Sequence, residues 1–382
     1  MKRISYLTFV FLCIAFCWSC QKSNNTASGS TIPVYTVPTT YDFANSNDSN
    51  QLILFAMADQ IVAAINQANT IPNTVVSSQT LTDMLNNTGG HFNDSVFKLN
   101  ASGLKLADYF PAAAKTDVLN YFDSVGLYSQ SSATPGPGVA GVAPGAANPN
   151  KKYLLSPNGI FYSQVVKKTF MGVFAYQIAN VYMADSINST TDTVVLEHYW
   201  DAAFGFFGVP VNFPTNTTGL RYLGSYSNQV DAGLHSNASI MNAFLKGRTA
   251  ISNNDLSTMK AQANILIRTF DSLDAAAIVQ EMHETNTNIE AGDAVAAYGT
   301  LSESLGFVRN LSYNSSVTRV ISDSQIAQLL ALYDSVNPGS PDLYQFVDAN
   351  VNTTAQIEAK TAAIAALIGQ IYGFSAATLP LL

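Results

Sequence analysis

Two carboxylates stand four residues apart in this sequence, at Glu197 and Asp201. In a helix, this spacing places both side chains on one face, beside the apolar residues around Trp200. One interpretation is a site for a cation or a basic ligand, with Glu303 and a histidine as further ligands. The other is a structural ion pair with Arg248, whose planar guanidinium suits partly buried carboxylates. We favour the ion pair, because buried charge pairs more often fix helix packing than bind substrate.

The sequence lacks the common motifs of metal-binding, nucleophilic and nucleotide-binding sites. The four histidines are scattered, and neither H-E-x-x-H nor a helical E-x-x-H occurs. The nucleophile elbow G-x-S-x-G, the phosphate-binding loop and the dinucleotide motif G-x-G-x-x-G are also missing. All three cysteines lie at positions 13, 17 and 20, so the body of the chain carries no zinc knuckle and no thiol nucleophile. The identity of any metal is not indicated; a divalent cation or iron is the candidate cofactor.

The first twenty residues predict export and lipid attachment. Lys2 and Arg3 precede an apolar run over 6–18, and Ser19 and Cys20 follow it. This arrangement resembles a bacterial lipoprotein signal, which implies cleavage before Cys20 and its acylation with chains such as palmitate. An uncleaved anchor is disfavoured because the run is shorter than the ~20 residues of a span. No acidic pair follows Cys20, so we expect an outer-membrane anchor with the body facing the periplasm.

The composition predicts a folded body that does not bind nucleic acid. Of 382 residues, 47% are hydrophobic and 12% are charged, enough apolar material for a large core. The 18 basic residues are outnumbered by 26 acidic ones, whereas phosphate backbones require clustered cations. The expected contact with a membrane is through the lipid alone. Nothing in the sequence indicates an oligomeric state.

Beyond the signal, the pattern predicts an all-α fold: a large multi-helix bundle with long loops. A signal peptide over 1–19 and a flexible tether over 20–38 precede a single helical domain over 39–382. Apolar periodicity predicts helices from 49 onward and over 80–85, 112–127, 162–183, 193–207, 232–248, 256–288, 293–311, 322–335 and 354–372. Five glycines inside these helices indicate close helix crossings. The Pro/Gly/Ala-rich stretch 129–150 is a mobile loop or a domain junction, and we favour a loop. The Tyr-rich segment 221–226 is expected in a loop.

Four motifs in order resemble one lipoprotein family, common in Bacteroidetes-type bacteria and known as domain of unknown function 4856. They are YDF at 41–43, WDAAFGFFG at 200–208, AFLKGRTAI at 243–251 and LSESLGFV at 301–308. Position 202 is Ala where the family signature has Glu, so the acidic pair here is Glu197 with Asp201. The family implies no established activity. A distant analogy to imelysin-type periplasmic proteins, at the level of the fold alone, implies iron uptake with an envelope uptake partner.

Three classes of function are consistent with this sequence. The favoured one is a lipid-anchored, non-catalytic binding or accessory protein of the cell envelope, with iron or another cation as its candidate cargo. The second is an envelope hydrolase that uses the acids Glu197, Asp201 and Glu303. The third is a glycan-binding lipoprotein of the outer membrane, which would need exposed aromatic side chains on a shallow platform.

Overall fold

Side-chain caps mark the starts of several helices in the computed structural model, which describes residues 35–44, 46–333, 341–347 and 352–382. Asp192, Asp255 and Asp293 each accept a hydrogen bond from the first turn of the helix that follows. Ser322 and Thr353 form capping boxes with a glutamine three residues later. These caps satisfy backbone N–H groups that have no partner within the helix. The signal peptide, Cys20 and 20–34 of the tether lie outside the described residues.

Thirteen α-helices occur in the described residues, and the all-α prediction is confirmed. They are α1 Ser49–Asn66, α2 Ser78–Leu85, α3 Ala112–Tyr128, α4 Tyr162–Tyr176, α5 Thr193–Phe207, α6 Tyr222–Gln229, α7 Asp231–Leu234, α8 Ser236–Ser252, α9 Leu256–Glu290, α10 Ala294–Asn310, α11 Asp323–Ala331, α12 Leu343–Val347 and α13 Thr354–Tyr372. A π-helix, Gln177–Asp185, extends α4, and short 3₁₀ turns span Leu106–Tyr109, Ser186–Asn188 and Leu379–Leu381. The described residues from Tyr35 onward form one compact unit.

The long helix α9 is the main packing element of the bundle. It lies against α8, α10 and α13, while α10 packs in turn on α4, and α5 packs on α8. Most of α4 is buried, as its nearly continuous apolar sequence predicts. Large aromatic side chains fill the centre of the fold, among them the fully buried Trp200 and Phe204. None of the helices in the described part of the chain has both the length and the apolar character needed to cross a bilayer.

Residues 129–150 form more than the simple loop expected from their composition. Strand β1, Gly141–Pro144, pairs antiparallel with β2, Lys152–Leu155, and the register joins Gly141 to Leu155. The Ala147 N–H also donates to Asp293 Oδ2 at 2.8 Å, which ties the hairpin to the start of α10. The stretch therefore contains a strand that its composition did not predict. Backbone pairing stabilises it where its small side chains bury little apolar surface.

The Tyr-rich segment is a helix and not the expected loop. Tyr222 and Tyr226 lie on α6, and their exposures are only 7% and 8%. Tyr222 contacts Phe55 and Phe174, with ring centroids 5.3 and 5.1 Å away. The residues between these tyrosines, Leu-Gly-Ser, include two with weak helix propensity. Packing of the tyrosines on the core therefore stabilises α6.

The predicted close crossings at glycines are confirmed. A Cβ atom at Gly247 would lie 1.9 Å from Trp200 Cζ2, so α8 and α5 meet directly at this position. At Gly306 a Cβ atom would lie 2.7 Å from Lys168 Cβ, where α10 crosses α4. These two crossings set the relative positions of the helices that carry the buried charges described below.

Candidate functional site

The acidic pair of α5 lies against an arginine of α8, and we call this group the Arg248 network. Arg248 Nη1 lies 2.6 Å from Glu197 Oε1, and Arg248 Nε lies 2.9 Å from Asp201 Oδ1. Ser252 donates to Glu197 Oε1 at 2.7 Å, and Tyr41 donates to Asp201 Oδ1 at 2.6 Å. The Tyr41 ring stacks on Phe204, so the chain segment before α1 closes the group. This geometry favours the structural interpretation of Glu197 and Asp201.

Burial shapes the electrostatics of the Arg248 network. Burial raises the pKa of Asp201, against the Tyr41 hydrogen bond and the charge of Arg248. Burial also disfavours the charge of Arg248, but Asp201 and Glu197 outweigh it and raise the pKa of the guanidinium. A cavity of about 230 Å³ borders the network beside Tyr41 and Leu245. Asp201 Oδ2 and Arg248 Nη2 are buried without a hydrogen-bond partner in the described residues.

Glu303 does not join the other two acids in this network. It lies on α10, and its Oε2 atom is 2.6 Å from the ammonium of Lys168 on α4. Lys168 is only 1% exposed, and its ammonium also lies 4.5 Å from the centre of the Tyr226 ring. The charge of Lys168 holds the pKa of Glu303 below its ordinary value, although burial acts in the opposite direction. The structure thus places the predicted acids in two separate ion-pair networks.

A second carboxyl group, that of Glu281 on α9, completes the network around Lys168. The Tyr226 hydroxyl lies 2.8 Å from Glu281 Oε1 and 3.0 Å from Glu303 Oε2, and it accepts from Lys168 Nζ at 2.6 Å. Since a hydroxyl carries one proton, it can donate to only one of the two acids at a time. Burial and the nearby Glu303 charge raise the pKa of Glu281 well above its ordinary value. Within this network Glu281 therefore keeps its proton to a higher pH than an ordinary glutamate, whereas Glu303 loses its proton at a lower pH.

One cavity adjoins the network around Lys168 and shares lining residues with a second cavity, and we call the two together the basic cleft. One, of about 450 Å³, is lined by Lys168, Tyr226, Glu303 and Arg221 among others. The other, of about 400 Å³, lies between α1, α4 and the start of β2. They share the lining residues Asp59, Lys167 and Tyr222. A cleft of this size can hold a small organic ligand.

Cations dominate the lining of the basic cleft. Five basic residues line it, against two acidic ones: Lys151, Lys152, Lys167, Lys168 and Arg221, with Asp59 and Glu303. Both acids already have a basic partner, since Asp59 pairs with Arg221 at 3.0 Å and Glu303 pairs with Lys168. Within the described residues, the lysines at 151, 152 and 167 have no carboxylate within 4.0 Å. The chain as a whole has a net charge of −8, so this concentration of cations is a local feature.

Metal-ligating side chains do not converge in the described part of the chain. No group of three or more His, Cys, Asp or Glu side chains there could hold an ion. His91 lies near Asp83 on an exposed turn, and a ring nitrogen of His283 contacts the Leu379 carbonyl oxygen at 3.0 Å. The candidate role of a histidine beside Glu303 therefore has no geometric support among the residues described.

Sequence reasoning found Glu303 but missed its partners. Lys168, Tyr226 and Glu281 come from three different helices, and no spacing in the sequence links them. One signal was present: a lysine at a core position of the nearly all-apolar helix α4 must find a counter-ion, because a buried charge without one is costly. The acid that pairs with it could not be read from that signal.

The helical bundle, the two ion-pair networks and the basic cleft define an all-α protein with a ligand-sized polar cavity. The model of the family described as Domain of unknown function (DUF4856) matches residues 38–375, nearly the whole chain, and the chain belongs to that family. No curated protein and no solved structure matches the chain.

Proposed function

We propose that this is a lipid-anchored binding protein of the cell envelope that captures a small anionic ligand in the basic cleft without altering it. The observation that carries the proposal is the set of three cleft lysines with no carboxylate partner among the described residues. Several like charges around a concave, partly desolvated site raise the local concentration of ligands of opposite charge.

The same geometry gives little support to direct binding of a cation by Glu197, Asp201 and Glu303. Each is in a salt bridge, so an incoming cation would have to displace Arg248 or Lys168. Removing the partner of a buried charge is strongly unfavourable. If the protein serves iron or cation uptake with an envelope partner, an anionic chelate is the form that would fit the cleft.

The lipid anchor is part of the proposal and depends on Cys20. Attachment there would hold the folded body at the outer membrane, facing the periplasm, through a tether of polar residues. Cells fed a clickable palmitate analogue should label the wild type and leave Cys20→Ala unlabelled. Equal labelling of the two would contradict the anchor and would leave the cleft proposal untouched.

Thermal unfolding with a panel of anions tests the cleft. Sulfate, inorganic phosphate, citrate and glucuronate are titrated at constant ionic strength into the wild type, the double variant Lys152→Gln/Lys167→Gln, and the control Lys260→Gln. Lys260 is exposed on α9 and lines neither cavity. An anion at 100 times its Kd should add about 2.7 kcal/mol to the free energy of unfolding.

General salt effects such as the stabilisation of proteins by sulfate should act equally on all three proteins. Specific binding should therefore appear as a saturable rise in Tm in the wild type and in Lys260→Gln, lost in the double variant. The same response in all three proteins, or none to any of the four anions, would overturn the proposal.

A second candidate function, hydrolysis in the same cleft, is favoured by one observation. Glu281 and Glu303 share the Tyr226 hydroxyl, and their pKa values are displaced in opposite directions, as in an acid and base pair. An assay with nitrophenyl glycosides and nitrophenyl esters should then show turnover that Glu303→Gln abolishes. Equal rates for Glu303→Gln and the wild type would exclude this use of the acids.

The glycan-binding alternative finds no platform in the Tyr-rich segment, because Tyr222 and Tyr226 are buried under the cleft. The aromatic rings there contact the core, and a sugar would meet mainly charged groups.

A further inference from the structure

We propose that Lys167, which lines both cavities of the basic cleft, is the residue that contacts the captured anion, and that the bound anion favours the charged form of this lysine. Capture would then take up a proton and would weaken as the pH rises. The inference rests on the proposed function, because it assigns a residue and a pH dependence to the same cleft.

The position of Lys167 sets it apart from its neighbours. It is one of only three residues that line both cavities, and the only cation among them. Its side chain is exposed to the cleft, whereas the adjacent Lys168 is buried and already bound to Glu303. An anion that enters either cavity can therefore reach Lys167 without breaking an existing ion pair.

The charged and titratable groups that face Lys167 come from every element around the cleft. They are Asp59 on α1, Lys168 on α4, Arg221 with Tyr222 and Tyr226 at α6, Glu281 on α9, Glu303 on α10, and Lys151 and Lys152 at the hairpin. The carboxylate of Asp59 is bound to Arg221 and to Tyr222, and that of Glu303 to Lys168. Glu281 is held by Tyr226. The acids nearby are thus committed to other partners.

The surroundings hold the pKa of Lys167 below its ordinary value while the cleft is empty. Desolvation by the cleft walls lowers the pKa of Lys167 although its side chain reaches solvent, and the positive charge of Lys168 lowers it further, against the opposing charges of Glu303, Asp59 and Glu281. An anion bound beside the ammonium supplies the missing counter-charge and raises the pKa of Lys167 in the complex. Since the complex then binds more protons than the free protein, linkage requires that affinity fall as pH rises through the pKa of the free lysine.

Isothermal titration with sulfate and with glucuronate tests this inference, because the charge of both anions is constant over the range used. The titrations run from about pH 6 to about pH 10, which approaches the ordinary lysine pKa from below. The wild type should lose affinity at the alkaline end, by at most about tenfold per pH unit for one proton. Lys167→Arg retains its charge throughout, so its affinity should vary far less with pH.

Two further variants separate the outcomes. Lys152→Arg, the matched control, should keep the pH dependence of the wild type, and Lys167→Gln should lose most of its affinity at every pH. The inference is overturned if Lys167→Arg shows the same alkaline loss as the wild type, or if Lys167→Gln binds as the wild type does. Absence of binding to the wild type at any pH would instead overturn the proposed function.

Discussion

Arg248 is the residue on which the positions of α5, α8 and Tyr41 depend. Its guanidinium neutralises the carboxylates of Glu197 and Asp201, which are nearly excluded from water. Arg248→Ala should therefore lower the free energy of unfolding by about 3–5 kcal/mol, the usual cost of leaving buried charge uncompensated. Urea denaturation curves measure this difference.

Arg221→Ala is the matched control for Arg248→Ala. Arg221 also pairs with an aspartate, but the side chains of that pair are 39% and 52% exposed, so its loss should cost at most about 1 kcal/mol. Glu197→Gln and Asp201→Asn should also destabilise the protein. If those two substitutions left stability unchanged or raised it, the acids would be a strained ligand site and not a scaffold.

Asp274, in the middle of α9, is a buried acid with no partner in the described structure. Its exposure is 1%, and neither carboxyl oxygen has a hydrogen-bond partner in the described residues. Burial raises its pKa well above the ordinary value, and Asp271 adds to the effect. The folded pKa thus exceeds the unfolded one. The stability contributed by this proton is complete below the unfolded pKa and is lost as pH rises through the folded pKa.

Replacing Asp274 removes this pH dependence. In the wild type, the free energy of unfolding should fall by about 1.4 kcal/mol per pH unit on account of this one proton, within the window above the unfolded pKa of about 3.9. Asp274→Asn should flatten that slope, and Asp123→Asn, at an exposed position on α3, should leave it unchanged. Denaturation at a series of pH values measures the slopes; parallel curves for Asp274→Asn and the wild type would contradict the assignment.

At the scale of helices, Gly247 shows how a single missing Cβ sets a crossing. The Trp200 ring fills the space that a side chain would need, and its Nε1 atom donates to the Phe244 carbonyl oxygen at 2.9 Å, so the ring cannot easily move. Gly247→Ala should destabilise the protein by about 1–3 kcal/mol through overpacking, despite the better helix propensity of Ala.

A second glycine serves as the control for this crossing. Gly136 has no heavy atom within 4 Å of an added Cβ, so Gly136→Ala should change stability by less than about 0.5 kcal/mol. Thermal melts of both variants provide the comparison. A neutral or stabilising Gly247→Ala would mean that α5 and α8 lie farther apart than described.

The helices could be predicted from the sequence where their own side chains specify them, and less well where packing does. Apolar periodicity placed α5 at residues 193–207, as observed, and came within two residues of the ends of α9. The same reasoning missed α6, because its Gly, Ser and Asn residues favour turns and only the burial of Tyr222 and Tyr226 makes it helical. It also missed β1, because the composition of that strand does not indicate β-structure. Backbone pairing with β2 is what stabilises it.

The candidate site was predictable only where local sequence patterns specify it. The four-residue spacing of Glu197 and Asp201 and the motif containing Arg248 were enough to propose their ion pair. The Lys168 network joins α4, α6, α9 and α10, so it exists only once those helices have packed. A periodic pattern reports which face of a helix is buried, and it carries no information about which distant residue lies opposite.

At the scale of the whole molecule, the distribution of charge determines which ligands can bind more than the net charge does. The net charge of −8 was readable from the composition and argued against binding of nucleic acid. The fold brings together basic residues from the hairpin, α4 and the start of α6, so that five of the 18 in the chain line one cleft. A local positive field in an acidic protein can select small anions while the rest of the surface repels polyanions.

The most direct test of the anion-binding cleft is a crystal structure of the protein grown without sulfate or phosphate and soaked in selenate, whose selenium is located by anomalous scattering. The account predicts a selenium peak in the basic cleft, with a selenate oxygen within hydrogen-bond distance of Lys167 Nζ, and loss of that peak in Lys167→Gln. An empty cleft at saturating selenate, or an unchanged peak in Lys167→Gln, would contradict it.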